Sequence, residues 1–299
     1  MRILLHYKSE YSLNKAAPYL SIAKWQFYAY IGTYLNSWEE VPKMNSQSQK
    51  IRILADAGAM SRAAAETIAG HISEILQTGD AYTIVLSGGS TPERLYALLA
   101  DDAGLQEQIP WERVYFFWGD ERHVPPDHPD SNYRMAHNAL LSKVPIPSTN
   151  IFRIMTEDCD AEKVAADYEQ KLRRFFKIDA GQMPRFNCVL LGMGPDGHTA
   201  SLFPGSSALA ETKRLVAASW IEEFQSYRIT LTWPLINNAD RILFLVAGAE
   251  KAGTLKMVLE GDARTARYPV QLIQPTHGEV IWFLDPSAAG RLALLKEKQ

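Results

Sequence analysis

A chain of 299 residues can bury a substantial core, and 46% hydrophobic with 22% charged residues excludes a disordered or fibrous protein. The formal net charge of −3 gives no global attraction for nucleic acid or an anionic membrane, so an anionic ligand needs a local site and a small molecule is the expected partner. Only Cys159 and Cys188 are present; Cys188 lies in the apolar run FNCVLLG, where a small buried thiol is expected rather than a bridge or a nucleophile, and a reducing cytoplasm fits.

Residues 1–44 are rich in Tyr and Trp and show neither amphipathic period nor strand alternation. Lys24 interrupts their most apolar part, so no span of about 20 apolar residues forms. A signal peptide, which needs a basic start, a continuous apolar segment and a small-residue cleavage site, is not expected here either. We read residues 1–44 as an extension outside the catalytic fold, with Met44 a candidate start of translation, and residues 45–299 as one domain.

From Ile51 onward strand and helix signals alternate. IRILADA predicts a strand and AMSRAAAETIAGHISEILQTG a helix ended by Gly79. AYTIVLS is a buried strand running into SGGS, and PERLYALLA a helix with Pro92 in its first turn. WERVYFFWG is the next strand; SNYRMAHNALLSKV and DAEKVAADYEQKLRRFF are helices, and FNCVLLG is a central strand. Strands follow near RLVAAS, YRITLTW, RILFLVA and VIWFL, with helices at AEKAGTLKMVLEG and PSAAGRLALLKE. This alternation predicts an α/β fold: an open, mainly parallel, Rossmann-like sheet with helices on both faces. Ligands of such sheets sit beyond the carboxyl ends of the strands, so the loops there carry the chemistry.

Three loops stand out. In LSGGSTPERL, Gly88 and Gly89 let backbone approach an anion, and Ser90 or Thr91 can cap the following helix. The turn reads equally as a phosphate cradle or as an ordinary capped junction, and it lacks the lysine of a nucleoside triphosphate loop. In FFWGDERHVPPDHPDSNY, alternation sends Asp120 and Arg122 to one side of the strand end, and Glu121 and His123 to the other. Asp120 with Arg122 suits orienting a water and clamping an anion, Asp130 or Ser131 a helix cap; a solvated, salt-bridged loop is the plain alternative. GMGPDGHTASLFPG satisfies G-x-G-x-x-G, but Pro204-Gly205 stops any helix and no carboxylate follows about 20 residues on. A nicotinamide or flavin cofactor is not expected. What remains is a polar turn bearing His198, suited to take a proton near neutral pH, with Asp196 placed to brace the turn or tune the ring. No G-x-S-x-G elbow, H-E-x-x-H helix or C-x-x-C pair occurs, which weakens acyl-serine, zinc and dithiol mechanisms. Arg228, in YRITLTW, reads as a second anion clamp or as a sheet-edge arginine.

Taken together, LSGGSTPERLY, FFWGDERHVPPDHPDSNY, LLGMGPDGHTASLFPG, RITLTWPLINNA and LFLVAGAEKA resemble, in identity and order, the bacterial-type 6-phosphogluconolactonase family. The resemblance covers residues 50–295. It implies a fold related to aminosugar-phosphate isomerases and hydrolysis of 6-phosphoglucono-δ-lactone in the oxidative pentose phosphate pathway, with no metal or cofactor. It also implies that His198 is the general base and that Asp120 orients the water or His198. Arg122 and Arg228 would hold the phosphate, and the turn Gly88, Gly89, Ser90, Thr91 would give donors to the phosphosugar. The rivals are an aminosugar-6-phosphate deaminase-isomerase, whose similar loop typically continues as IAFNEP and whose second loop carries DEY, and a non-catalytic sugar-phosphate sensor. Here the sequence has TASLFPG and DERHV, and no DNA-binding module or basic patch. Nucleic-acid or membrane partners are not expected; a monomer or small homo-oligomer is.

Overall fold

The computed structural model describes residues 49–261 and 268–293. The reading of residues 1–44 as an extension lies outside them, as does the end of the last expected helix. Ten strands are present among the described residues: β1 (Gln49–Ile53), β2 (Tyr82–Leu86), β3 (Val114–Trp118), β4 (Asp120–Arg122), β5 (Ile151–Phe152), β6 (Cys188–Leu191), β7 (Val216–Ile221), β8 (Ser226–Leu231), β9 (Arg241–Val246) and β10 (Glu279–Leu284). The four long helices are α1 (Ala57–Leu76), α2 (Ser90–Asp101), α3 (Ala161–Phe176) and α4 (Ala252–Glu260). Asp56 starts α1 by accepting the Ala59 N–H at 2.8 Å, and Asp160 starts α3 by accepting from Glu162 and Lys163. None of the described helices is long and apolar enough to cross a membrane.

Seven strands stand in the order β1-β10-β9-β6-β2-β3-β5, and every neighbouring pair is parallel. The two strands at its centre, β2 and β6, are buried at every residue. Their unbroken apolar runs fit strands covered on both faces. From β2 the chain moves outward to β3 and β5, whereas β6, β9 and β10 lie on the other side. Right-handed crossovers running in opposite directions place helices on opposite faces and open a crevice between the carboxyl ends of β2 and β6.

The expected single sheet needs one correction. RLVAAS and YRITLTW do not join the parallel sheet; with the DER segment they make a separate antiparallel sheet, β4-β8-β7. The junction is Gly119, whose N–H donates to Leu86 and whose carbonyl accepts from Leu231. One residue thus bonds both sheets, and the chain passes from β3 into β4 without a turn. SNYRMAHNALLSKV is also not one helix: a short α-helix over Asn132–Ala136 passes into a π turn over His137–Leu141. Edge strand β5 pairs over only two residues, too few for any periodic signal.

One core histidine gives the fold a pH dependence. His71 on α1 is 5% exposed, with Nδ1 2.8 Å from the Tyr82 hydroxyl. Burial first, and then the charge of Arg241, lower its pKa from 6.5 to about 4. Between those values the unfolded chain holds the extra proton, so stability is complete above about 6.5 and falls as pH drops toward 4. His71→Gln keeps a hydrogen-bonding partner for Tyr82 but cannot titrate. Urea unfolding of the variant should show a pH 7 to pH 4.5 stability difference smaller than the native one by about 2 kcal/mol; an equal difference refutes the assignment.

Candidate active site

The crevice at the centre of the sheet is a cleft of about 360 Å³. The eight residues to which the resemblance gives a role all border it: Gly88, Gly89, Ser90 and Thr91 after β2, Asp120 and Arg122 on β4, His198 after β6, and Arg228 on β8; Asp196 does not line it.

The loop after β6 closes on itself, with Gly197 N–H donating to the Gly194 carbonyl at 3.0 Å and Gly194 N–H to that of His198 at 2.9 Å. This brings His198 Nδ1 to 2.6 Å from Asp196 Oδ1. Burial raises the Asp196 carboxyl, but the hydrogen bond and charge of His198 outweigh it and leave the group below the ordinary aspartate value. An ionised Asp196 accepting the Nδ1 proton leaves the Nε2 lone pair as the acceptor. A side chain at residue 194 is incompatible with this pair, because a Cβ there falls 2.2 Å from His198 Nδ1 and 2.5 Å from Asp196 Oδ1. The middle glycine of the G-x-G-x-x-G match, Gly194, thus makes room for a histidine and its carboxylate.

Asp120 is not the partner of His198, which corrects that half of its expected role. It is buried, with Oδ2 accepting the Ser201 hydroxyl at 2.7 Å, and its carbonyl takes the Asn132 amide at 3.0 Å. The register of β4 against β8 pairs Asp120 with Thr230 and Arg122 with Arg228, so both arginines and Asp120 share a side, as alternation requires. Glu121 points the other way. Its carboxylate accepts from the N–H groups of Arg122, Asn132 and Tyr133 and from the Ser131 hydroxyl, tying the strand to the next helix. Burial nevertheless pushes its pKa up. Ser131 caps that helix at Arg134 N–H.

The two arginines lack ion pairs among the described residues. Arg122 Nη1 donates to the Asp130 carbonyl at 2.6 Å, and Arg228 Nη1 to Ser226 Oγ at 3.1 Å. Burial, followed by the facing charge of Arg122, lowers the pKa of Arg228. Two cations on paired positions with no carboxylate between them create a demand for an anion. The start of α2 adds to it. Neither Ser90 nor Thr91 caps this helix: the cap position is Gly89, at φ +102°, with no side-chain acceptor, and Pro92 is the third helical residue rather than the first. The N–H groups of the first turn are therefore available to a ligand.

Several lining residues escaped the sequence reading, among them Lys251, Asn132, Ser201, Phe203 and Phe224. Lys251, beyond β9, brings a third cation to the cleft; its motif GAEKA looks like a plain helix start. Asn132 and Ser201 fix Asp120 but resemble ordinary turn residues. Gly88, expected from the sequence to admit an anion, also leaves room for Asn132, since a Cβ there meets Asn132 Oδ1 at 1.9 Å.

The chain is similar to known proteins along most of its length. The family model described as "Glucosamine-6-phosphate isomerases/6-phosphogluconolactonase" matches residues 55–282. A 6-phosphogluconolactonase of a Nostoc species is 41% identical over 244 residues, 82% of this chain and 98% of that protein. One from a Synechocystis species is 47% identical over 210 residues, 70% of this chain and 84% of that protein. The solved structure of 6-phosphogluconolactonase from Trypanosoma cruzi superposes with a TM-score of 0.73 at 33% identity, covering 82% of this chain and 97% of that one. With the family match spanning most of the sequence and the relatives aligned along nearly their whole length, the chain belongs to the glucosamine-6-phosphate isomerase/6-phosphogluconolactonase family.

Proposed function

We propose that this protein hydrolyses 6-phospho-D-glucono-1,5-lactone to 6-phospho-D-gluconate, the second step of the oxidative pentose phosphate pathway. The observation that carries the reading is the joining, in one cleft, of a His198–Asp196 pair with two arginines that lack carboxylate partners and an uncapped helix start. A phosphate dianion satisfies the second group and a hydrolysable carbonyl uses the first.

A δ-lactone is an activated ester, so one base and one positioned water suffice for attack. His198 Nε2 takes a proton from water as its oxygen bonds to C1. The tetrahedral intermediate then expels the ring oxygen, which receives that proton from the imidazolium, leaving the open-chain carboxylic acid, which ionises to the carboxylate by releasing water's second proton to solvent. Asp196 stabilises the imidazolium through Nδ1. Asp120, fixed by Ser201 and Asn132, orients the water. Arg122, Arg228 and the turn Gly88–Thr91 bind the phosphosugar, and that binding energy holds C1 at the base. No metal, cofactor, nucleic acid or membrane enters this scheme, and we place the enzyme in the cytoplasm, where its two free thiols, Cys159 and Cys188, remain reduced.

Gly194→Ala drives a methyl group into the His198–Asp196 pair. Steady-state kinetics should show kcat lowered by about 100-fold, with KM within a few-fold of native, since the phosphate site is untouched. A native kcat means that the pair is not held as the structure has it. The rival deaminase reading is separated by supplying freshly generated 6-phosphogluconolactone and, in parallel, glucosamine 6-phosphate. Lactone loss above the spontaneous rate without ammonia release is expected; ammonia from the amino sugar transfers the proposal to the deaminase, and binding without turnover transfers it to the sensor.

A further inference from the structure

His198 has one face covered. The ring of Phe203, itself 8% exposed, stacks on the imidazole with centroids 4.1 Å apart and planes 27° from parallel. Phe203 meets Phe224 edge to face at 5.7 Å, and the Arg228 guanidinium lies over the Phe224 ring at 5.1 Å. A row of contacts thus runs from an arginine of the anion site, through two aromatic rings, to the imidazole. Phe224 is 47% exposed on the hairpin between β7 and β8. An exposed phenylalanine on a polar hairpin tip, in the sequence EEFQ, is not explained by core packing.

We propose that Phe203 and Phe224 are positioning residues for His198, resting on the hydrolase reading above. Asp196 fixes the edge of the imidazole at Nδ1 but leaves the ring free to tilt about that bond. The flat contact with Phe203 removes the tilt and sets the direction in which Nε2 presents its lone pair. The same π-face favours the ring once it has taken its proton and become cationic. Phe224 acts only through Phe203, as the wall that keeps it against the histidine, and Arg228 holds that wall in place. Neither phenylalanine touches a reacting atom in this scheme.

The test combines kinetics with a measurement that needs no substrate. Phe203→Leu keeps apolar bulk but has no ring: kcat should fall about 10- to 100-fold with KM within about threefold of native. Phe203→Tyr keeps the ring and should stay within about threefold of native in both constants. Phe224→Leu should lower kcat by about 3- to 10-fold, and the double variant Phe203→Leu/Phe224→Leu should be no slower than Phe203→Leu alone within about twofold, because the outer residue acts through the inner one. In proton NMR of the free protein, the stacked ring should shield the His198 ring protons, and Phe203→Leu should shift them downfield while Phe203→Tyr does not. Equal loss in Phe203→Leu and Phe203→Tyr, fully additive losses in the double variant, or unmoved His198 resonances in Phe203→Leu each overturn the proposal. If the native protein hydrolyses no lactone, the hydrolase reading fails, and the NMR comparison still decides the stacking by itself.

Discussion

Replacing His198 with alanine lowers kcat for 6-phosphogluconolactone by about 100- to 10,000-fold, the usual worth of a positioned general base, while 6-phosphogluconate still binds. The expectation follows from where His198 sits. Its Nδ1 is spent on Asp196 at 2.6 Å, one face is covered by Phe203, and Nε2 is the atom left to accept a proton at the cleft. No second imidazole borders the cleft among the described residues, so no neighbour can substitute for it. Because δ-lactones also hydrolyse unaided, the measured rate must be corrected for the spontaneous one, and the variant should approach that floor. A His198→Ala enzyme with near-native kcat removes the base from this residue and with it the mechanism.

The second large effect belongs to Arg228. Arg228→Ala should raise KM by about 10- to 100-fold and change kcat by only a few-fold. Hydrogen bonds to a charged group are worth roughly 1.5–3 kcal/mol, which sets that range. Arg228 is paired in register with Arg122, and its burial beside that like charge is unfavourable until an anion arrives. In the proposed reading the substrate phosphate is remote from C1, so losing one of the two arginines assigned to it should weaken binding more than chemistry. Steady-state kinetics on Arg228→Ala and on Arg228→Lys separate charge from fork geometry, the lysine variant recovering part of the affinity. An unchanged KM in the alanine variant places the phosphate elsewhere.

Much of this site was legible before the fold, for identifiable reasons. Unbroken apolar runs such as YTIVL and CVLL announce central parallel strands, and the polar loops beyond them hold Gly88 to Thr91 and His198. Alternation along DER placed Asp120 and Arg122 together correctly, since a period of two survives any change of sheet. The change of sheet itself was not legible. It depends on Gly119 bonding both Leu86 and Leu231, residues far apart in sequence. For the same reason the partner of His198 was ambiguous. Asp120 and Asp196 are both carboxylates near strand ends, and only the closed turn over residues 194–198 brings Asp196 to Nδ1. Ser90 and Thr91 illustrate the opposite case: hydroxyls preceding a helix read equally as caps or as part of a phosphate cradle, yet the helix begins at Ser90, two residues before Pro92, with Gly89 at the cap position. That displacement turns an ordinary capped junction into open N–H groups at the cleft.

The central claim is that one cleft holds the phosphate at Arg122 and Arg228 and the lactone carbonyl at His198. The structure of the protein with 6-phosphogluconate bound tests it most directly. Phosphate oxygens are expected within about 2.7–3.2 Å of both guanidinium groups, with the C1 carboxylate next to His198 Nε2. A product bound in the reverse sense, with phosphate against His198, or seated outside this cleft, contradicts it.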